Sequence, residues 1–109
     1  MISWEDFEKV QMRVGTVKEA RAFPEARKSA YVVTVDFGRD IGIKRSSAQI
    51  TDRYDLDDLI GRQVVAVVNF PPKQIGPMMS ECLILGAYDT VGVVLLTPDK
   101  AVPNGSRIG

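Results

Sequence analysis

Side chains able to attack a substrate, ligate a metal or shuttle a proton are scarce in this chain, and that scarcity bounds its chemistry. Histidine is absent, which removes Ser-His-Asp and Cys-His pairs and every histidine-ligated metal. Cys82 is the only cysteine. It lies in the apolar run Cys82-Leu83-Ile84-Leu85, where a thiol is expected to be buried and structural rather than nucleophilic. Asp55, Asp57 and Asp58 lack the spacing of a calcium loop and stand where a helix is expected to begin, so they read as acids favoured by the helix macrodipole. Neither a Walker loop nor a dinucleotide glycine fingerprint is present. No nucleophile, base and orienting group can be assembled, and the expectation is a protein that is not an enzyme and carries no cofactor or metal.

What does cluster is charge and amide. Lys44-Arg45-Ser46-Ser47 is expected to end one strand and Asn69-Phe70-Pro71-Pro72-Lys73-Gln74 another, bringing basic and hydrogen-bonding groups to one rim of a sheet. There Lys and Arg would meet phosphates, while Ser, Asn and Gln would reach sugars or bases. The second cluster is apolar: Phe70, Pro71, Pro72, Ile75, Pro77, Met78 and Met79 crowd a segment where a loop would ordinarily be polar. Methionines adapt to varied shapes, which suits a surface that accepts many peptides. The bland alternative is that these residues cap a barrel or pack in a subunit interface.

The elements that position these groups follow from periodicity and punctuation. Ser3, with Asp6 three residues on, resembles a capping box opening a short helix on which Trp4 and Phe7 share a face. Met12 to Phe23 reads as a strand that Pro24 ends, with Gly15 marking a bulge or a sharp bend. Tyr31, Val33, Val35 and Phe37 alternate with Val32, Thr34 and Asp36, the pattern of a half-buried strand. Gly38-Arg39-Asp40 then turns the chain into Ile41–Arg45. A short helix is expected around Leu56, Leu59 and Ile60, stopped by Gly61. Arg62 to Phe70 is a strand that Pro71-Pro72 stops, a loop follows through Met79, and Glu81–Ala87 and Val91–Thr97 are two further strands. Some five strands with a helix after the third predict a small all-β Greek-key barrel of the oligomer-binding (OB) type, formed by residues 1–109 as one domain.

Composition agrees with this and adds limits. Hydrophobic residues make up 45% and charged residues 26% of the 109 positions, values of a folded chain rather than a disordered or membrane one. Fourteen Lys and Arg balance fourteen Asp and Glu, so nucleic-acid binding would have to come from local clustering. One thiol, no secretory leader in the first residues and no apolar stretch of roughly 20 residues point to the cytoplasm, without membrane insertion. The runs Val64–Val68, Leu83–Leu85 and Val93–Leu96 are apolar at consecutive positions, so both faces of those strands seek burial. Little chain remains to cover the second face, and a homodimer is expected.

The same segments carry a family resemblance. Met12-Arg13-Val14-Gly15-Thr16-Val17, Phe23-Pro24-Glu25-Ala26-Arg27, Val35-Asp36-Phe37-Gly38, Asn69-Phe70-Pro71-Pro72-Lys73-Gln74-Ile75 with Ser80-Glu81, and Val102-Pro103-Asn104-Gly105 resemble the tRNA-binding domain family appended to methionyl- and tyrosyl-tRNA synthetases. Within it, Gly42-Ile43-Lys44-Arg45-Ser46-Ser47-Ala48-Gln49-Ile50-Thr51 is similar almost residue for residue to the stand-alone CsaA-type proteins. The resemblance covers nearly the whole chain. It implies an OB barrel with short flanking helices and terminal extensions, a homodimer, and an export-related cytoplasmic chaperone that binds unfolded or precursor polypeptides, with tRNA binding as the inherited activity.

By position, the resemblance puts Lys44, Arg45, Ser46, Asn69, Lys73 and Ser80 on the tRNA-contacting rim. Arg13 and Glu81 match family positions too, either as a barrel-stabilising ion pair or as ligand contacts. For polypeptides the expected contacts are Phe70, Pro72, Ile75, Met78 and Met79, with Trp4 and Phe7 holding the dimer. Synthetase-appended domains carry a Ser-Gly step after the basic strand, whereas this chain has Ser46-Ser47-Ala48-Gln49, without the glycine's backbone freedom. That departure, with zero net charge, favours the polypeptide; a dedicated, structure-specific tRNA-binding protein is the alternative.

Overall fold

The alternation from Tyr31 to Phe37 and the branched run after Gln63 both become strands laid against one long, bent strand. In the computed structural model, which describes residues 1–109, the order is α1 (Trp4–Glu8), β1 (Met12–Ala22), β2 (Tyr31–Asp36), β3 (Ile43–Ala48), α2 (Leu56–Leu59), β4 (Gln63–Val67), β5 (Lys73–Ile75), β6 (Met78–Ser80), β7 (Leu83–Ile84), β8 (Gly86–Tyr88) and β9 (Val93–Leu95). Antiparallel pairing gives a five-stranded sheet β3-β2-β1-β4-β7 and two hairpins, β5-β6 and β8-β9. The first half of β1 pairs with β4 and the second half with β2, Thr16 belonging to both ladders.

That double duty requires β1 to curve. The bulge falls at Lys18, where the register with β2 slips between Val17 and Glu19. Gly15 is not the bulged residue; it is where the inward side chains of β2 come closest. A Cβ there would lie 2.5 Å from Val35 Cγ1 and 2.7 Å from Phe37 Cδ1. Val17, Val33, Val35, Phe37, Ala48, Leu59, Val64, Ala66, Cys82 and Leu95 fill the interior with Ile50, and Leu59 brings α2 into it with no exposed surface. Gly61, at φ +84°, ends α2 as the sequence predicts.

The sheet nearly closes on itself. The Glu81 N–H donates to the Arg45 carbonyl at 2.7 Å, the Glu81 carboxylate accepts the Arg45 N–H at 3.1 Å, and Ser80 Oγ accepts the Ser47 N–H at 3.1 Å. Side chains at the β6–β7 junction thus stand in for a missing backbone ladder on the edge of β3. The result is the expected five-strand, nearly closed OB-type barrel.

Three local expectations change. The segment read as a loop through Met79 is a hairpin, turned by Gly76 at φ +55°. The strand expected over Glu81–Ala87 splits into β7 and β8, because Leu85 donates to the Val65 carbonyl but accepts from Leu96, so the ladder changes partner there. Ser46 and Ser47 lie within β3, not beyond its end.

Much of the second apolar face is covered from within the chain. Val65 and Val67 alternate with the inward Val64 and Ala66, yet are buried. The C-terminal tail crosses this outer face. Gln63 exchanges hydrogen bonds with the Val102 backbone, and Asn104 Oδ1 accepts from Thr16 Oγ1 at 2.7 Å. The tail then runs beside β1, with Gly105 N donating to the Val14 carbonyl and Ile108 N to that of Met12. For β4, then, the covering element is the tail; Leu83, Val94 and Leu96 remain exposed.

Candidate nucleic-acid interface

Outside the barrel a second, smaller apolar cluster organises the candidate face. Val32 points outward from β2 and is buried by Phe23 and Ala30 of the β1–β2 loop and by Met78 of β6, with Ile75 and Ala26 packed on them. This cluster clamps that loop and the β5–β6 hairpin over β2 and β3. Between them opens a cleft of about 620 Å³ that contains Arg27, Lys28 and Lys73 with one carboxylate, Glu25. Ser47, Gln49 and Gln74 add hydroxyl and amide groups to it.

A second cleft, of about 460 Å³, adjoins the first. Ser47, Gln49, Lys73 and Ile75 line both. Its own lining adds an apolar group, Phe70, Pro71, Cys82 and Leu83, together with Ser80 and Glu81, and Phe70 is about half exposed. One surface therefore joins cations suited to phosphates, amides suited to bases or peptide groups, and an aromatic ring suited to stacking.

The expected site residues divide on this surface. Lys73, Phe70, Pro72 and Met79 are exposed on or beside it, and Ile75 is half-buried in the shared wall. Arg45 is exposed on the outer face of β3, but in a separate cleft with Lys18 and Arg21. Lys44 falls on the inward-alternating side, close enough to Cys82 to act on its thiol.

Burial corrects two of the assignments, and hydrogen bonding ties two other side chains into the fold. Ser46 is 1% exposed and Met78 4% exposed, because Ser46 alternates into the interior and Met78 is part of the outer cluster. Neither presents its side chain to a polymer. Ser80 is committed to closing the barrel, and Asn69 to the end of α1, where its amide donates to the Lys9 carbonyl and accepts the Gln11 N–H.

The open question over Arg13 and Glu81 resolves as two structural roles. Arg13 donates to the Gly105 carbonyl at 3.1 Å and to Gln11 at 2.9 Å, pinning the tail, while Glu81 closes the barrel. Trp4 is 83% exposed. With Ile2 and Phe7 it lines an apolar hollow beside Gly109.

Arg27, Lys28 and Gln49 escape the linear reading, since none falls within the two basic and amide segments singled out there, whereas Gln74 belongs to the second of them. The available signal was topological: in an OB barrel the first hairpin loop lies beside the loop after the fourth strand.

Cys82 is among the residues that line the second cleft, but it is buried. Burial pushes its thiol up to about 12, outweighing the charge of Lys44, which acts to lower it. The thiol therefore stays protonated in the folded barrel at neutral pH and resists alkylation. The folded value exceeds the unfolded one, so its contribution to stability is complete below the unfolded pKa and is lost as pH climbs towards 12. Denaturant titrations of Cys82→Ala are expected to show a flatter decline in stability above pH 9 than the parent; equal slopes would refute the burial argument.

An OB-type barrel bearing a basic cleft beside an aromatic one defines a class of polymer-binding modules. Residues 12–107 match the family described as "Putative tRNA binding domain", and the chain belongs to that family. It is 38% identical over 107 residues to the methionine–tRNA ligase of Thermococcus onnurineus and 36% identical to that of Pyrococcus furiosus, 98% of this chain being covered in each. The chain spans only 14% of those relatives' length. Two solved structures match over the whole chain: the chaperone CsaA of Bacillus anthracis, at 50% identity and TM-score 0.93 with 99% of that chain covered, and the CsaA chaperone protein of Picrophilus torridus, at 52% and 0.95 with 100% covered. A MetRS-related protein from Pyrococcus horikoshii follows at 29% identity and TM-score 0.87, with 98% of that chain covered.

Proposed function

We propose that this chain is a non-catalytic cytoplasmic protein that binds tRNA in the Arg27–Lys28–Lys73 cleft and holds unfolded or precursor polypeptides against the adjoining apolar wall, as an export-related chaperone. The observation that carries it is the shared lining: Lys73 and Ile75 belong at once to a basic cleft and to one walled by Phe70 and Leu83. Family membership supports the tRNA arm, and two similar structures described as chaperones support the polypeptide arm. A homodimer is part of the reading, supported by the exposed Ile2 and Trp4 at the amino terminus. The alternative, tRNA binding without chaperoning, is favoured by the balance of the first cleft, where three cations meet one carboxylate.

Binding of purified protein to bulk tRNA and to an unfolded apolar polypeptide, each across a salt series, separates these readings. Phosphate contacts release counterions, so tRNA affinity should fall steeply with salt, while polypeptide affinity should hold. Phe70→Asp with Met79→Asp should abolish suppression of aggregation. A tRNA constant flat in salt eliminates the RNA arm; undiminished suppression by the double variant eliminates the polypeptide arm. Light scattering at micromolar protein should report a dimer, and a monomer would remove that part.

A further inference from the structure

The basic cleft and the apolar one are not separated by a partition; they have one wall in common. Ser47 and Gln49, at the end of β3, and Lys73 and Ile75 of β5 line both. That wall is fixed from two sides. Ile75 stands opposite Met78 across the β5–β6 hairpin, and both pack in the outer apolar cluster with Phe23 and Val32. Lys73 stands opposite Ser80, whose hydroxyl accepts the Ser47 N–H at 3.1 Å and so ties the hairpin to β3. Moving the hairpin aside to give each cleft its own wall would unpack that cluster and break a bond that closes the barrel.

Chemistry sharpens the conflict at this wall. Lys73 is exposed and in no ion pair, the two in the protein being Lys9–Asp6 and Arg53–Asp89. Its ammonium is a single, strongly hydrated point charge. An apolar segment pressed over Phe70, Leu83 and Ile75 strips water from that charge, which costs free energy unless an anion takes the water's place. A phosphate held by Lys73 occupies the same space with a charged, hydrated group, against which an apolar side chain gains nothing. The protein measures only 38 × 31 × 29 Å. A folded RNA and an unfolded polypeptide both extend beyond the clefts, so they also compete for the room around the common wall.

We infer that tRNA and polypeptide exclude one another on this chain, and that tRNA is thereby a release ligand for the bound polypeptide. The inference rests on the reading that the chain binds both polymers. Linkage makes the exclusion reciprocal: the factor by which tRNA weakens polypeptide binding is the factor by which polypeptide weakens tRNA binding. Release then needs no covalent step, only a rise in free tRNA. Salt reverses it, because salt detaches the RNA and leaves the apolar contact intact.

The test is the affinity of fluorescently labelled, carboxymethylated α-lactalbumin for the purified protein, measured by anisotropy at rising concentrations of unfractionated tRNA. With tRNA at about 100 times its own Kd, polypeptide affinity is expected to fall about a hundredfold, and to go on falling in proportion as more tRNA is added. Arg27→Glu/Lys28→Glu alters the basic cleft and leaves the common wall as it is. Its tRNA binding is expected to weaken about a hundredfold, so the same tRNA concentration lowers polypeptide affinity only about twofold. A ternary complex in sedimentation velocity, or a fall that levels off within a few-fold, overturns the exclusion while both binding arms stand. A hundredfold fall that persists in the variant takes the basic cleft out of the exclusion and overturns it as well. A parent that binds only one of the two polymers overturns the underlying reading, and the exclusion with it.

Discussion

Valine at position 15 is expected to lower the free energy of unfolding by more than about 3 kcal/mol, which for a small domain is a large share of the total. The Cβ alone would stand 2.5 Å from Val35 Cγ1, 2.7 Å from Phe37 Cδ1 and 2.9 Å from the Asp36 carbonyl oxygen. Val35 and Phe37 are at most 1% exposed and have no free volume to move into. The backbone of residue 15 cannot retreat either, because it is registered against Val64 on the opposite side. Valine adds two methyl groups beyond that Cβ. Urea titration with an unchanged m-value measures the loss directly. Alanine should cost less, about 1–3 kcal/mol; an alanine variant as stable as the parent would show that β2 yields without penalty and would discard the close-approach explanation.

Reversing two charges of the first cleft, Arg27→Glu with Lys73→Glu, is expected to weaken tRNA binding about a hundredfold at low salt and to make its salt dependence shallower by about two phosphate contacts. Both residues are exposed and neither is in an ion pair, so the fold should be unaffected. The deficit should narrow as salt rises, because exposed charges are screened within roughly a Debye length. Fluorescence anisotropy with labelled tRNA is sufficient. A loss below threefold at low salt would move the RNA off this cleft, and retained polypeptide binding in the same variant would show that the neighbouring apolar wall works without it.

These two results probe different ends of one arrangement. Gly15 lets β1 pass close against the inward side chains of β2 where the strand serves both halves of the barrel, and on the outer face of that sheet the β1–β2 loop and the β5–β6 hairpin are clamped. The cleft exists because those two connections are clamped over Val32, one of the few outward residues of β2 that is buried. The cleft is thus coupled to the fold through a small satellite cluster, not through the main core.

Local sequence determined what local physics governs. Ser3 and Asp6 close their capping box, each accepting the other's backbone N–H, and Gly61 ends α2 because only a positive φ fits there. The alternation from Tyr31 to Phe37 specified which side chains face inward, and the order of elements specified the barrel type. The absence of histidine bounded the chemistry. Tertiary structure alone decided the rest. It sent Ser46 inward and Arg45 outward, since which parity of β3 faces the core depends on the pairing Val33↔Ser46 with β2. It spent Ser80, Glu81, Asn69 and Arg13 on closure and anchoring, which became visible only once edges with unpaired backbone groups were in place. It gathered Arg27, Lys28, Gln49 and Lys73 from three separate segments into one cleft. A binding surface depends on distances between residues far apart along the chain, and those distances are set by packing, to which spacing in sequence carries no direct measure.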